Sequence, residues 1–402
     1  MKSLKLTSTK KGAASIYVVV FATILFGVIV LSFMRIILSE SSQTSNDDLS
    51  QSAYDAAMAG VEDAKIAVNK YYQCMSSGGF VNDCKKYEDI FSPEKCEEYN
   101  LGAILHGMAE GEEIKISESG NGDSNNTDQA YTCVLLSNKV EDYRSTLTSD
   151  TRTRVVPIGI GSDLSQVKYI KFEWYSELNG TSFSMRNDGL LHKKSEATVP
   201  PTISLSLLKT GSEFTIDSFN NSTSGDFSTM ILLPSQAEEG KDDESIISYI
   251  SQDQINKAGE SEFANEPFKV KCGQGAFACS ITLGVDDDKL VFANGGNAML
   301  IVSLPYGDTI TDFAVTLYGD GGTSSDPISF ENVQVSVDST GRTNQLVRRV
   351  ESRLDPADVY FPYPQYEVEL NGSDENTLLK NFWITANCWT EAGTCPNNGV
   401  KN

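Results

Sequence analysis

Histidine is almost missing from this chain: His106 and His192 are the only two in 402 residues. No Cys-x-x-Cys pair occurs either, so the usual ligand sets of a structural zinc site are lacking. Neither histidine lies near a Gly-x-Ser-x-Gly turn, which removes the commonest setting for base-assisted nucleophilic catalysis. A phosphate-binding loop is missing too. Gly319-Asp320-Gly321-Gly322 has no lysine and no helical pattern after it. Proline does not occur before Pro93, and glycine does not occur between Gly27 and Gly60, so nothing breaks a helix over that range. Acids are missing from Ala13 through Ser39. Positive charge is scarce beyond Arg35: 27 Lys and Arg remain against 55 Asp and Glu, a net of about −28. Nucleic acid is repelled by such a balance and is not an expected partner.

What is present begins with Lys10-Lys11-Gly12 and the uncharged apolar run from Ala13 to Met34. Its 22 residues span about 33 Å as a helix, enough for a bilayer core of about 30 Å. A cleavable secretory signal has a shorter apolar region and a small-x-small site after it. Here the run is an anchor. Lys2, Lys5, Lys10 and Lys11 precede it and only Arg35 lies just beyond, so the N-terminus is expected in the cytoplasm and the rest outside.

Beyond Arg35 a helical face continues. Small or apolar residues recur at Leu49, Ala53, Ala56, Gly60, Ala64, Ala67 and Tyr71, in steps of three and four. This stripe brings a helix axis close to a neighbour, either the chain's own sheet or another subunit's helix. Ser45-Asn46-Asp47-Asp48 is its weak point. All eight cysteines (Cys74, Cys84, Cys96, Cys133, Cys272, Cys279, Cys388 and Cys395) follow the span, and an even number outside a membrane reads as disulfides. Equal local spacing pairs Cys272 with Cys279 and Cys388 with Cys395. The first four leave three connectivities open.

The junction Lys11-Gly12-Ala13-Ala14, the rim Arg35-Ile36-Ile37-Leu38-Ser39-Glu40 and the helix Ala53 to Lys65 (AYDAAMAGVEDAK) resemble the N-terminus of a type IV pilin or pseudopilin. The similarity is to minor pilins of the PilX N-terminal type and covers about residues 10–72. It implies cleavage between Gly12 and Ala13 by a prepilin peptidase, with methylation of the new terminus. It also implies partners for the N-terminal helix: membrane lipid first, then other pilin-like subunits and the inner assembly machinery. Major pilins carry Glu at the fifth mature position, where this chain has Tyr17. A buried amine without its acid is costly, which suits a minor or tip subunit better than a repeating one.

After Arg154 the pattern turns to period two, with runs at Val167 to Trp174, Ile203 to Leu208, Met230 to Leu233, Cys279 to Val285, Met299 to Leu304, Phe313 to Tyr318 and Val333 to Val337, and again at Tyr366 to Leu370. Asp338-Ser339-Thr340-Gly341 reads as a turn after the Val333 run, and Ser92-Pro93-Glu94 as a helix start. The expected architecture is α+β. It has a basic leader (1–12), a transmembrane helix (13–38), its amphipathic continuation (39–72) and a cysteine-bearing helix and loop segment (73–150). A pilin-like, β-rich antiparallel head (151–402) follows, long enough for two β subdomains with a boundary near 237–267.

No cofactor and no metal is expected. The polar tract 120–128 lacks the spacing of a calcium loop. The acid runs Asp242-Asp243-Glu244 and Asp286-Asp287-Asp288 read as solvated turns before they read as paired catalytic carboxylates. Tyr360-Phe361-Pro362-Tyr363-Pro364, Phe382-Trp383 and Trp389 are candidate stacking surfaces for a host-surface protein or glycan. The functional expectation is a non-enzymatic minor pilin-like subunit that inserts in the cytoplasmic membrane and joins or caps a surface fibre. A permanently anchored single-pass adhesin or carbohydrate-binding protein is the alternative, and a surface hydrolase working through the acid runs is a distant third.

Overall fold

The computed structural model of the chain describes residues 12–77, 79, 81–98, 101–116, 128–159, 164–176, 199–210, 227–236, 246–251, 254, 267–273, 275–285, 297–305, 310–320 and 322–355. It shows an α+β protein in which one long N-terminal helix precedes a β-rich remainder of antiparallel and mixed sheets. The helix α1 spans Gly12–Ser76 without a break. It passes straight through Ser45-Asn46-Asp47-Asp48, because weak helix formers in mid-helix cost only a few tenths of a kcal/mol each, up to about 0.7. Where it ends, Gly79 takes a left-handed φ of +104° and its N–H donates to Cys74 O at 3.0 Å.

The chain forms two interleaved compact units. The first holds Met1–Leu135 and Val337–Glu351. Besides α1 it contains a short helix α2 (Leu101–His106) and most of a four-stranded sheet. That sheet has the order β1 (Ile114–Lys115), β2 (Gln129–Val140), β15 (Phe330–Thr343), β16 (Leu346–Leu354). Both long strands, β2 and β15, run on into the residues of the second unit. Strand structure therefore starts inside the segment 73–150, which the sequence reading assigned to helix and loop. Ser92-Pro93-Glu94 starts no helix. Short 3-10 helices, Asn82–Tyr87 and Cys96–Glu98, flank it.

The second unit, Leu136–Ser336 and Ser352–Asn402, is built on two six-stranded sheets. Its strands are β3 (Asp142–Leu147), β4 (Thr153–Pro157), β5 (Tyr169–Ser176), β6 (Ile203–Thr210), β7 (Phe227–Ser235), β8 (Ile246–Ile247), β9 (Tyr249–Ile250), β10 (Pro267–Lys271), β11 (Phe277–Gly284), β12 (Asn297–Ser303), β13 (Thr311–Tyr318) and β14 (Pro327–Ile328). One sheet runs β4-β12-β6-β7-β10-β8. The other runs β14-β13-β5-β11-β9, with β3 beside β13. Alternating side chains from both sheets enter one core: Ile170, Phe172, Trp174, Ile281 and Phe313 from one, Leu205, Leu232, Val270 and Leu300 from the other.

Two findings correct the expected head. β10 runs parallel to both β7 and β8, and β11 parallel to β9, so the sheets are mixed rather than purely antiparallel. The strands on either side of 237–267 lie in one sheet, with Pro267 opposite Ile231, so no division of the head falls there. The chain crosses from one sheet to the other within Ile246–Ile250, and again between β10 and β11. Tyr175 breaks the period of two. Its φ of +66° lets it follow buried Trp174 and be buried itself, at a cost of about 1–2 kcal/mol that the surrounding core must offset.

The edge of β3 is closed by a side chain. Gln334 is buried, accepts from Arg144 N at 3.1 Å, and donates to Arg144 O at 2.7 Å and to Asp355 Oδ1 at 2.9 Å. One amide thus stands in for a neighbouring strand. Beside it, burial pushes the Tyr143 phenol well above its ordinary range, and the Asp355 charge adds to that. Gln334→Leu is expected to cost about 1–3 kcal/mol for each Arg144 group it strands. Gln334→Glu should be worse, since a carboxylate cannot donate to either acceptor and meets Asp355. Urea midpoints of the two variants check this, and a milder effect for Glu would overturn the assignment.

Candidate functional site

The first candidate is the small-residue stripe of α1. Ala53, Ala56, Gly60, Ala64 and Ala67 are all buried, together with Ala57, Val61 and Val68, which widen the stripe beyond the sequence expectation. What they pack on is the unit's own sheet. A Cβ on Gly60 would meet Ser339 Oγ, and Val134 Cγ2 at 2.9 Å. A Cβ on Gly341 would fall on Ala53 O and Ala57 N, with Ala56 C at 2.9 Å. Asp338-Ser339-Thr340-Gly341 is therefore no turn. β15 continues through it, and the hairpin turns instead at Asn344-Gln345, with Asn344 at φ +51°. Gly341 is small because helix backbone lies against it, not because the chain bends there.

Side chains fasten this contact. Ser339 Oγ donates to Ala57 O at 2.7 Å, Gln129 Nε2 to Ser52 O at 2.7 Å, and Arg348 Nε to Ser50 Oγ at 2.7 Å. Asp63, which sequence periodicity leaves off the stripe, bonds Tyr131 Oη and also His106 Nε2, the latter at 2.7 Å. His106 is thus a clamp between α2 and α1. Arg342 spans Glu113 and Asp128, and that bond and charge hold the Asp128 carboxyl below its ordinary range. The signal for these partners was the Ser-x-Gly alternation of β15, which looks the same as turn chemistry in one dimension.

The first half of α1 is the complement of this. From Ile16 to Leu38 every residue is exposed except half-buried Ala22, and the helix is long and apolar enough to cross a membrane. Residues 39–48 are also exposed, although polar. Gly12 and Ala13, the expected cleavage pair, are the first two residues of α1, so the backbone there is already helical. Lys10 and Lys11 lie outside the described residues.

Disulfides close the open connectivity: Cys74 is joined to Cys84 and Cys96 to Cys133. In the second unit Cys272 is joined to Cys279, tying the end of β10 to β11. The first bond pins the last turn of α1, where Tyr71 meets Phe91 edge-on at 4.9 Å between ring centroids. Burial, helped by Tyr71, pushes the Tyr72 phenol up to about 12. Cys388, Cys395, His192, the acid runs Asp242-Asp243-Glu244 and Asp286-Asp287-Asp288, most of the tract 120–128, and the aromatics Tyr360-Phe361-Pro362-Tyr363-Pro364, Phe382, Trp383 and Trp389 lie outside the described residues. The strand expected at Tyr366 to Leu370 lies outside them as well. Among the described residues no three His, Cys, Asp or Glu side chains gather as a metal site.

Comparison with family models, curated proteins and solved structures finds no match to this chain.

Proposed function

We propose that this chain is a minor pilin-like structural subunit. It is held in the cytoplasmic membrane by the first half of α1 with its head outside, and later joins or caps a type IV pilus-like fibre. The observation that carries the reading is the division of labour along one unbroken helix. One face of its outer half is buried on its own sheet through Gly60 and Gly341, while from Ile16 to Leu38 every apolar side chain but Ala22 is exposed. A helix that is wholly apolar and uncovered needs lipid or other helices around it, and a fibre core offers the second once the first is left. The Lys11-Gly12-Ala13 junction supports processing, and Tyr17 in place of an acid supports a tip or minor place. The role is structural rather than enzymatic, with the head free to meet a surface protein or glycan.

Intact mass and N-terminal sequencing of protein sheared from cells test this: the chain is expected to begin at Ala13. Met1 retained on surface-exposed protein, with none in sheared fibres, would instead establish the permanently anchored adhesin. The helical backbone at Gly12–Ala13 favours that second reading, since a peptidase must open it before it can cut.

A further inference from the structure

The three disulfides among the described residues share an order that neither export nor anchoring requires. Cys74 pairs with Cys84, Cys96 with Cys133, and Cys272 with Cys279, so among the described residues each of these six cysteines is joined to its immediate neighbour in the run of cysteines. Six cysteines allow roughly fifteen pairings, and this is the one in which no bond waits for a later cysteine. Each pair also has a structural reason to meet. The Gly79 turn sends the chain back past Cys74. Gly273 N donates to Ala278 O at 2.7 Å and closes the bend that sets Cys272 opposite Cys279. Cys133 lies on β2 beside β1, whose strand pairing (Ile114 opposite Tyr131) folds back the chain that follows Cys96.

From this order we propose that the chain is a substrate of an extracytoplasmic dithiol–disulfide oxidase that acts while export is still under way, and that these three bonds need no disulfide isomerase. The inference rests on the outward orientation proposed above. For each pair, one thiolate attacks the oxidase disulfide and releases one oxidase thiol. The second thiolate then attacks the chain's own sulfur in that mixed disulfide and releases the other. Two electrons and two protons leave the chain, and the oxidase ends as a dithiol. Timing permits it. At about 5–20 residues per second, the 138 residues between Cys133 and Cys272 take on the order of ten seconds to follow, within the range of catalysed disulfide formation.

The test expresses the full chain in a parent bacterium, in one lacking its exported thiol oxidase, and in one lacking its exported disulfide isomerase. Thiols are blocked with an alkylating agent at harvest and linked peptides are mapped by mass spectrometry. The three native pairs should form in the parent and, within about twofold, without the isomerase. Without the oxidase they should fall at least about tenfold. Shuffled bonds or a loss of native pairs in the isomerase-deficient cells overturn the inference while leaving the orientation standing. An oxidase-deficient yield equal to the parent's also overturns it. Fully reduced cysteines in all three strains would overturn the orientation and this inference together.

Discussion

Gly341→Ala should loosen the long helix from its sheet, by about 3 kcal/mol or more, whereas Gly60→Ala should cost about 1–2 kcal/mol. Both replacements add one methyl group at the same contact. The difference lies in what that methyl meets. At Gly341 it meets the backbone of Ala53, Ala56 and Ala57, which can move only if the helix moves. At Gly60 it meets the ends of the Ser339 and Val134 side chains, which can turn aside. Ser339 would then give up its bond to Ala57 O, worth about 1 kcal/mol. Hydrogen exchange of the amides from Ala53 to Val68 in the detergent-solubilised full chain reads the effect directly. About a hundredfold acceleration is expected for Gly341→Ala and about tenfold for Gly60→Ala. Gly27→Ala, where the methyl meets nothing within 4 Å, is the control and should leave those amides alone. An effect larger at Gly60 than at Gly341 would contradict the close approach of β15 to α1.

Trp174→Ala should remove about 3–5 kcal/mol from the second unit, a large share of the 5–15 kcal/mol typical of a whole domain. Trp174 is fully buried and stacks on Phe172 at 5.5 Å, and its Nε1 donates to Pro201 O at 3.0 Å. It stands opposite Phe313 on one side and Cys279 on the other, at the middle of its sheet. Alanine leaves a hole the size of an indole where Phe172 and Phe313 already pack against each other at 5.8 Å and cannot easily close in. Trp174→Phe keeps an aromatic ring but strands the Pro201 carbonyl, and about 1–3 kcal/mol should be lost. Urea unfolding followed by far-ultraviolet circular dichroism measures both. A loss below about 1 kcal/mol for the alanine variant would mean that the core is not closed around this residue.

Strand positions in the second unit are legible where apolar and polar residues alternate in the sequence. Ile170, Phe172 and Trp174 announce one buried face, whereas Phe313, Val315 and Leu317 stand on a strand whose intervening Ala314 and Thr316 are buried as well. β2 is harder to read, since Ala130, Tyr131, Cys133, Val134 and Leu136 are all buried and no period of two survives. Pairing partners are not legible at all. Nothing local to Pro267–Lys271 tells that it runs parallel to β7, a strand that ends more than thirty residues earlier. The helix stripe is readable from spacing, but its partner is not, because Gly341 serves a close approach with the same residue that a turn would use. The pairing of Cys96 with Cys133 depends on β2 folding back against β1, an event across 37 residues that spacing does not encode.

The bare stretch of α1 between Leu38 and Leu49 sets a stand-off. Its ten polar residues, at about 1.5 Å each, hold the first docked turn about 15 Å beyond the end of the apolar run. A rigid rod of that length carries torque as well as tension, so twisting one end rotates the other rather than winding a slack tether. Whatever grips the apolar end can therefore turn the sheet docked on the outer half, and a flexible linker of equal length could not.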